Sequence, residues 1–219
     1  MKAMPRLVAL GLVLAASPAL AYTLWGVPYG MSQVPVRLTA DPTMAPQCPT
    51  DYTPFKRAGR KWNNVDCSYF AFNVRFAEPS IMNLDPSACD GKNHIEFAPI
   101  QDEGVLAVTW ITCAYGKRET GAMFNSNVDW ACSGTPGPGE VDLQTVALHE
   151  FGHMLGLGHS SNQNAILWPM YVGPHRWLAN DDKNGACFLY PQDEWPGSSD
   201  EPGDPVFGPG LSGGPDPAP

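Results

Sequence analysis

The chain has 219 residues and a formal net charge of −9, with 13 Lys and Arg against 22 Asp and Glu. That length suits one core of ordinary size, and the acidic balance excludes a typical nucleic-acid binder, because phosphates demand Lys and Arg. Six cysteines occur without a C-x-x-C pair, which argues against a thiolate zinc knuckle or a thioredoxin-like redox site.

At the N-terminus Lys2 and Arg6 precede an apolar run from Leu7 to Ala16, and Ala19 and Ala21 stand as small residues before a cut. This three-part pattern predicts a secretory signal peptide over residues 1–21. The apolar run is about half of the ~20 residues a bilayer span needs, so no membrane association is expected after cleavage. Loss of Lys2 and Arg6 would take the charge from −9 to −11. The expected location is secreted or extracellular, or periplasmic if the cell is a bacterium. In that oxidising setting up to three disulfides can form among Cys48, Cys67, Cys89, Cys113, Cys132 and Cys187. Cys113 with Cys132 is the predicted pair, because these two flank an apparent hairpin.

Residues 22–190 read as one domain. Val34 to Thr39 is a candidate strand, with Pro35 at its start or on a sheet edge. Asp51 to Asn64 predicts a helix, since Phe55, Ala58 and Trp62 recur on one face. Its Lys56, Arg57, Arg60 and Lys61 read as a solvated face in so acidic a chain. Phe70 to Phe76 alternates aromatic and polar residues as a half-buried strand does, His94 to Phe97 is a short strand, and Val105 to Cys113 is β-branched and aromatic. Gly116 to Gly121 turns and Ala122 to Trp130 returns. A Gly- and Pro-rich loop, Ser133 to Gly139, leads to Asp142. Residues 191–219 hold 8 Pro, 6 Gly and six acidic residues, too little apolar surface to offset ordering entropy, so a solvated tail is expected.

Three of the five histidines fall in "HEFGHMLGLGH", His149 to His159. Asp142 is a good N-cap, and Leu143 to Leu155 contains no proline and one glycine, which predicts a helix. Residues four apart lie one turn above each other, so His149 and His153 share a face. Glu150 lies about 100° round, beside a shared ion rather than on it. Catalytic zinc takes three protein ligands and keeps a position for water. Gly156 can end the helix in a left-handed conformation, and His159 can then swing under the ion. The candidate metal ligands are therefore His149, His153 and His159 around one Zn2+, with Glu150 as the catalytic general base.

The pattern His149-Glu150-x-x-His153-x-x-Gly156-x-x-His159 is the metzincin signature. Ser160, Pro169-x-Tyr171, Gly104-x-Leu106-Ala107 and Asp181-Asp182-x-Asn184-Gly185 make the chain resemble the matrixins within that group, strongly over 142–190 and faintly before residue 90. The resemblance implies an α+β zincin fold: a twisted mixed five-stranded sheet, a zinc-binding active-site helix and a C-terminal helix. It implies a secreted zinc endopeptidase acting on protein or peptide substrates, expected to be a monomer. It also implies that Pro169 to Tyr171 walls a side-chain pocket and that Gly104 to Thr109 is an edge strand for the substrate backbone. Tyr171 serves that pocket or packs only.

Three departures stand out. The family's methionine beneath the zinc aligns with Leu167, and Met170 follows three residues later. Leu167 is the expected floor, with a shifted Met170 as the alternative. Val108, Phe124 and Asn125 stand where vertebrate relatives hold structural zinc and calcium, so a second zinc site is not expected, and His94 and His175 read as ordinary residues. No cysteine-bearing propeptide precedes the domain, so cysteine-switch latency is not expected. The rival readings are a catalytically inactive, zinc-stabilised binding module and a hydrolase of small amides.

Overall fold

A computed structural model describes residues 21–40, 48, 52–76, 91–112 and 118–195. Most of the expected signal peptide, Cys89, Cys113 and most of the expected tail lie outside these residues. Five strands form one sheet: β1 (Val36–Ala40), β2 (Phe72–Phe76), β3 (Asn93–Ala98), β4 (Ala107–Thr112) and β5 (Glu119–Asn125). Their spatial order is β2-β1-β3-β5-β4. Every neighbouring pair is parallel except β4 with β5, where Ala107 faces Phe124 and Thr112 faces Glu119. Among the described residues β2 and the antiparallel β4 are thus the two sheet edges.

Helix α1 (Thr53–Asn63) carries the crossover from β1 to β2. A parallel pair needs such a connection, because its strands run the same way. The helix starts with Pro54, whose missing N–H costs nothing in the first turn. It buries Phe55, Ala58 and Trp62 and leaves Lys56 and Arg60 in solvent, as their spacing predicts. Against it lies α2 (Leu143–Leu155), almost wholly buried. Phe55 stacks on Phe151 with centroids 6.4 Å apart, and the Trp62 indole N–H donates to the Leu148 carbonyl at 2.9 Å. Helix α3 (Asn180–Leu189) closes the domain. No helix among the described residues is long and apolar enough to cross a membrane.

Two expectations need correction. The return strand ends at Asn125, not Trp130. The Asn125 side chain accepts from Ile100 and Asn127 backbone N–H groups, and that local bonding turns the chain out of the sheet. Trp130 belongs instead to a two-residue strand, β6 (Trp130–Ala131), paired with β7 (Val141–Asp142). Cys132 bonds Cys48, not Cys113, and Cys67 bonds Cys187. A spacing argument sees only nearby cysteines, whereas these bridges span 84 and 120 residues. The second ties the chain after α1 to α3. Beyond residue 190, Gln192 N–H donates to the Cys67 carbonyl, and Trp195 stacks on Tyr69 at 5.1 Å.

Candidate metal centre

Helix α2 begins and ends where its sequence dictates. The Asp142 carboxylate accepts the Thr145 N–H at 3.0 Å, filling an N-terminal donor that the helix cannot satisfy itself. It also pairs with Arg176, whose Nε donates at 2.9 Å. At the other end Gly156 has φ +119°, a left-handed conformation that favours glycine. The turn it makes brings His159 back toward the helix.

The His149, His153 and His159 rings meet there. Their centroids are 4.6, 5.4 and 4.9 Å apart, and one ligand nitrogen from each lies within 4.8 Å of the others. His149 Nδ1 faces the Ile166 carbonyl at 2.7 Å and His153 Nδ1 faces the Leu157 carbonyl at 2.8 Å. A carbonyl oxygen only accepts, so both Nδ1 atoms carry the proton and both Nε2 atoms present lone pairs. Those two Nε2 atoms stand 2.9 Å apart. A proton could bridge them only if one ring were cationic, yet burial holds both imidazoles down at about 4. Two lone pairs turned on each other at neutral pH call for a cation between them. Tetrahedral zinc, with Zn–N of about 2.0–2.1 Å, sets its ligand nitrogens roughly 3.3 Å apart, against 2.9 Å for this pair and at most 4.8 Å across the three. The residues fit that ion, and the carbonyl partners fix the tautomers.

Glu150 is buried beside this cluster, and the desolvation raises its carboxyl above the ordinary range. Thr109 on β4 donates to Glu150 Oε2 at 2.6 Å. No pattern in the sequence singles out Thr109, because the contact joins the sheet edge to a helix 41 residues away. Leu167 is fully buried against Gly152 of α2, whereas Met170 is 63% exposed and lines the cleft. Asp182 on α3 holds this segment by accepting the Ile166 and Leu167 N–H groups at 2.9 and 3.3 Å. Ser160 donates to the adjacent Asp181 at 2.6 Å. These bonds explain the Ser160 and Asp181-Asp182 signals: they lock the ligand loop to α3.

An open cleft of about 820 Å³ runs past the three imidazoles and Glu150, with Gly104 to Thr109 along one side and Pro169 to Tyr171 along another. Tyr171 both lines it and accepts the Asp142 N–H through its hydroxyl at 2.9 Å. His94 of β3 packs beside Trp110 of β4 and is not part of the cluster, while His175 stacks on Trp177 and reaches the cleft wall.

The profile of the family described as Matrixin matches residues 44–191. Karilysin of Tannerella forsythia is 28% identical over 162 residues, covering 60% of this chain and 34% of that protein. Metalloendoproteinase 1 of Glycine max is 33% identical over 140 residues, 61% of this chain and 43% of that protein. Human matrix metalloproteinase-25 is 45% identical over 73 residues, 31% of this chain and 13% of that protein. The matched part therefore spans less than half the length of these relatives. The matched profile, the mixed five-stranded sheet and the histidine cluster on α2 together place the chain in the matrixin family of metzincins.

Proposed function

We propose that the domain is a secreted zinc endopeptidase with His149, His153 and His159 as ligands and Glu150 as general base. The observation that carries this reading is the pair of opposed Nε2 lone pairs, completed by His159 and flanked by a buried carboxyl. Bound zinc supplies a Lewis acid that polarises a carbonyl and makes water a nucleophile near neutral pH.

The protein's own groups do the rest. The outer edge of β4, unpaired among the described residues, and the residues before it pair with an extended peptide, so main-chain bonds hold the substrate along the cleft. The Thr109 hydroxyl fixes one Glu150 oxygen, and the other takes the water proton and passes it to the leaving amine. Such proton transfer contributes typically 10²–10⁴-fold. Burial helps, because a raised carboxyl pKa lies nearer the working pH and receives the proton more readily. The segment walled by Pro169 to Tyr171 receives one substrate side chain. The names of the related metalloendoproteinases support peptide bonds as the target. The two long-range disulfides support export to an oxidising compartment after loss of residues 1–21. Residues 22–190 make up the catalytic domain and 191–219 its tail, and one ion serves one monomer.

Purified protein should cleave casein and lose that activity with a chelator. Glu150→Gln should keep stoichiometric zinc and lose cleavage by at least a hundredfold. Zinc binding with no cleavage across a broad peptide library would instead mark an inactive binding module.

A further inference from the structure

The segment from Tyr22 to Val27 is fastened to the metal centre along its whole length. Thr23 Oγ1 donates to the His159 carbonyl at 2.9 Å, and the Thr23 carbonyl accepts the Gly158 N–H at 2.9 Å. Trp25 N–H donates to the Gly156 carbonyl at 2.7 Å, and Leu24 bridges Leu157. The Tyr22 N–H reaches Asp181 Oδ1 at 3.0 Å. Buried Arg118 spans from this segment to α2: one guanidinium nitrogen donates to the Val27 carbonyl, the other to the His153 and Met154 carbonyls at 3.3 and 3.0 Å. Gly158 makes the approach possible, because a Cβ there would lie 2.4 Å from Thr23 Oγ1.

This backbone is fixed, but its side chains are not buried. Leu24 is 50% exposed and Trp25 40% exposed, and both line the cleft that holds the three imidazoles. The Trp25 ring stands edge-on to His153 at 5.2 Å. Opposite elements add Val108 and Met170, both exposed apolar residues of the same cleft. A large aromatic held rigidly yet left in solvent beside a reactive centre has the properties of a binding anchor.

Resting on the endopeptidase reading, we infer that Trp25 is a specificity-determining residue: its indole forms a wall of the substrate cleft beside His153 and selects peptides bearing a large apolar or aromatic side chain at the position it touches. The occupant is an extended peptide, because the wall lies in one cleft with the outer edge of β4. Burying such a side chain against an indole corresponds to about a tenfold preference over alanine.

The test uses the zinc-loaded protein from residue 22 onward and a panel of capped octapeptides with an alanine host. Phe, Leu, Gly or Asp is placed at one position at a time. Wild type should prefer Phe and Leu at one position by about tenfold in kcat/KM. Trp25→Ala should flatten the preference at that position alone, with zinc content and Tm unchanged, and Trp25→Phe should restore most of it. An equal fall on every peptide would assign Trp25 a merely structural role and overturn the inference, as would a general rise in rate, which would mean that the segment covers the cleft. If wild type cleaves nothing, the endopeptidase reading fails. Calorimetric binding of the same peptides then decides the inference, which stands only if Trp25→Ala removes the Phe and Leu preference.

Discussion

Gly152→Ala is a sharp test of how α2 packs. This glycine lies one residue before a metal-ligand candidate, in mid-helix, where alanine would ordinarily add about 1 kcal/mol of stability. Here a Cβ would come within 2.8 Å of both Leu167 Cδ2 and Trp62 Cζ2. Neither neighbour can retreat easily. Trp62 is fully buried and held to the Leu148 carbonyl at 2.9 Å. Leu167 is fully buried, with its carbonyl on Ser160 N–H and its own N–H on Asp182. Overpacking of this kind costs about 1–3 kcal/mol. Set against the helix-propensity gain, a net loss of up to about 2 kcal/mol is expected, or up to roughly 8 °C in Tm for a domain of this size. A displaced Leu167 also carries Ile166, whose carbonyl orients His149, so zinc affinity should weaken as well. Thermal and denaturant unfolding of the metal-free protein, with a chelator competition for zinc, measures both. An alanine variant about 1 kcal/mol more stable than wild type, with unchanged affinity, would show that the interface has slack and that the packing argument is wrong.

Other expectations follow from the same contacts. Leu167→Met conserves volume and should cost less than about 1.5 kcal/mol with zinc retained, whereas Leu167→Ala should cost about 2–5 kcal/mol; chemical denaturation separates the two, and equal effects would contradict the tight packing of Leu167. Thr109→Val keeps the shape but deletes the bond to Glu150; kcat should fall about tenfold with KM and zinc content little changed, and an unchanged kcat would show that the hydroxyl does not position the base. In alkali, burial holds the Tyr29 phenol up at about 12 and pushes the Tyr190 phenol up as well. The unfolded chain loses these protons near pH 10 while the folded chain keeps them, so stability should fall as pH climbs above 10. Ultraviolet phenolate titration alongside unfolding checks this, and stability that stays level from pH 10 to 12 would contradict it.

The parts of the molecule governed by local rules were legible in the sequence. The bounds of α2 follow from Asp142 and Gly156, and the buried face of α1 follows from Phe55, Ala58 and Trp62. The convergence of His149, His153 and His159 follows from helical spacing and one glycine turn. Contacts between distant segments were not legible. Thr109 reaches Glu150 from the sheet edge, Arg118 crosses from the start of β5 to the end of α2, and Trp25 lies on His153 from 128 residues away. No period or motif marks such residues. The disulfide partners failed for the same reason, because proximity in space is set by the sheet order and not by spacing. The shortened return strand was missed because Asn125 spends its side chain on a turn.

Zinc-edge X-ray absorption on the protein from residue 22 onward, loaded with one equivalent of metal, tests the account most directly. A shell of three imidazole nitrogens at about 2.0–2.1 Å and one solvent oxygen is the predicted result. A shell with fewer imidazoles, one completed by a fourth protein ligand, or no retention of zinc at one equivalent would contradict it.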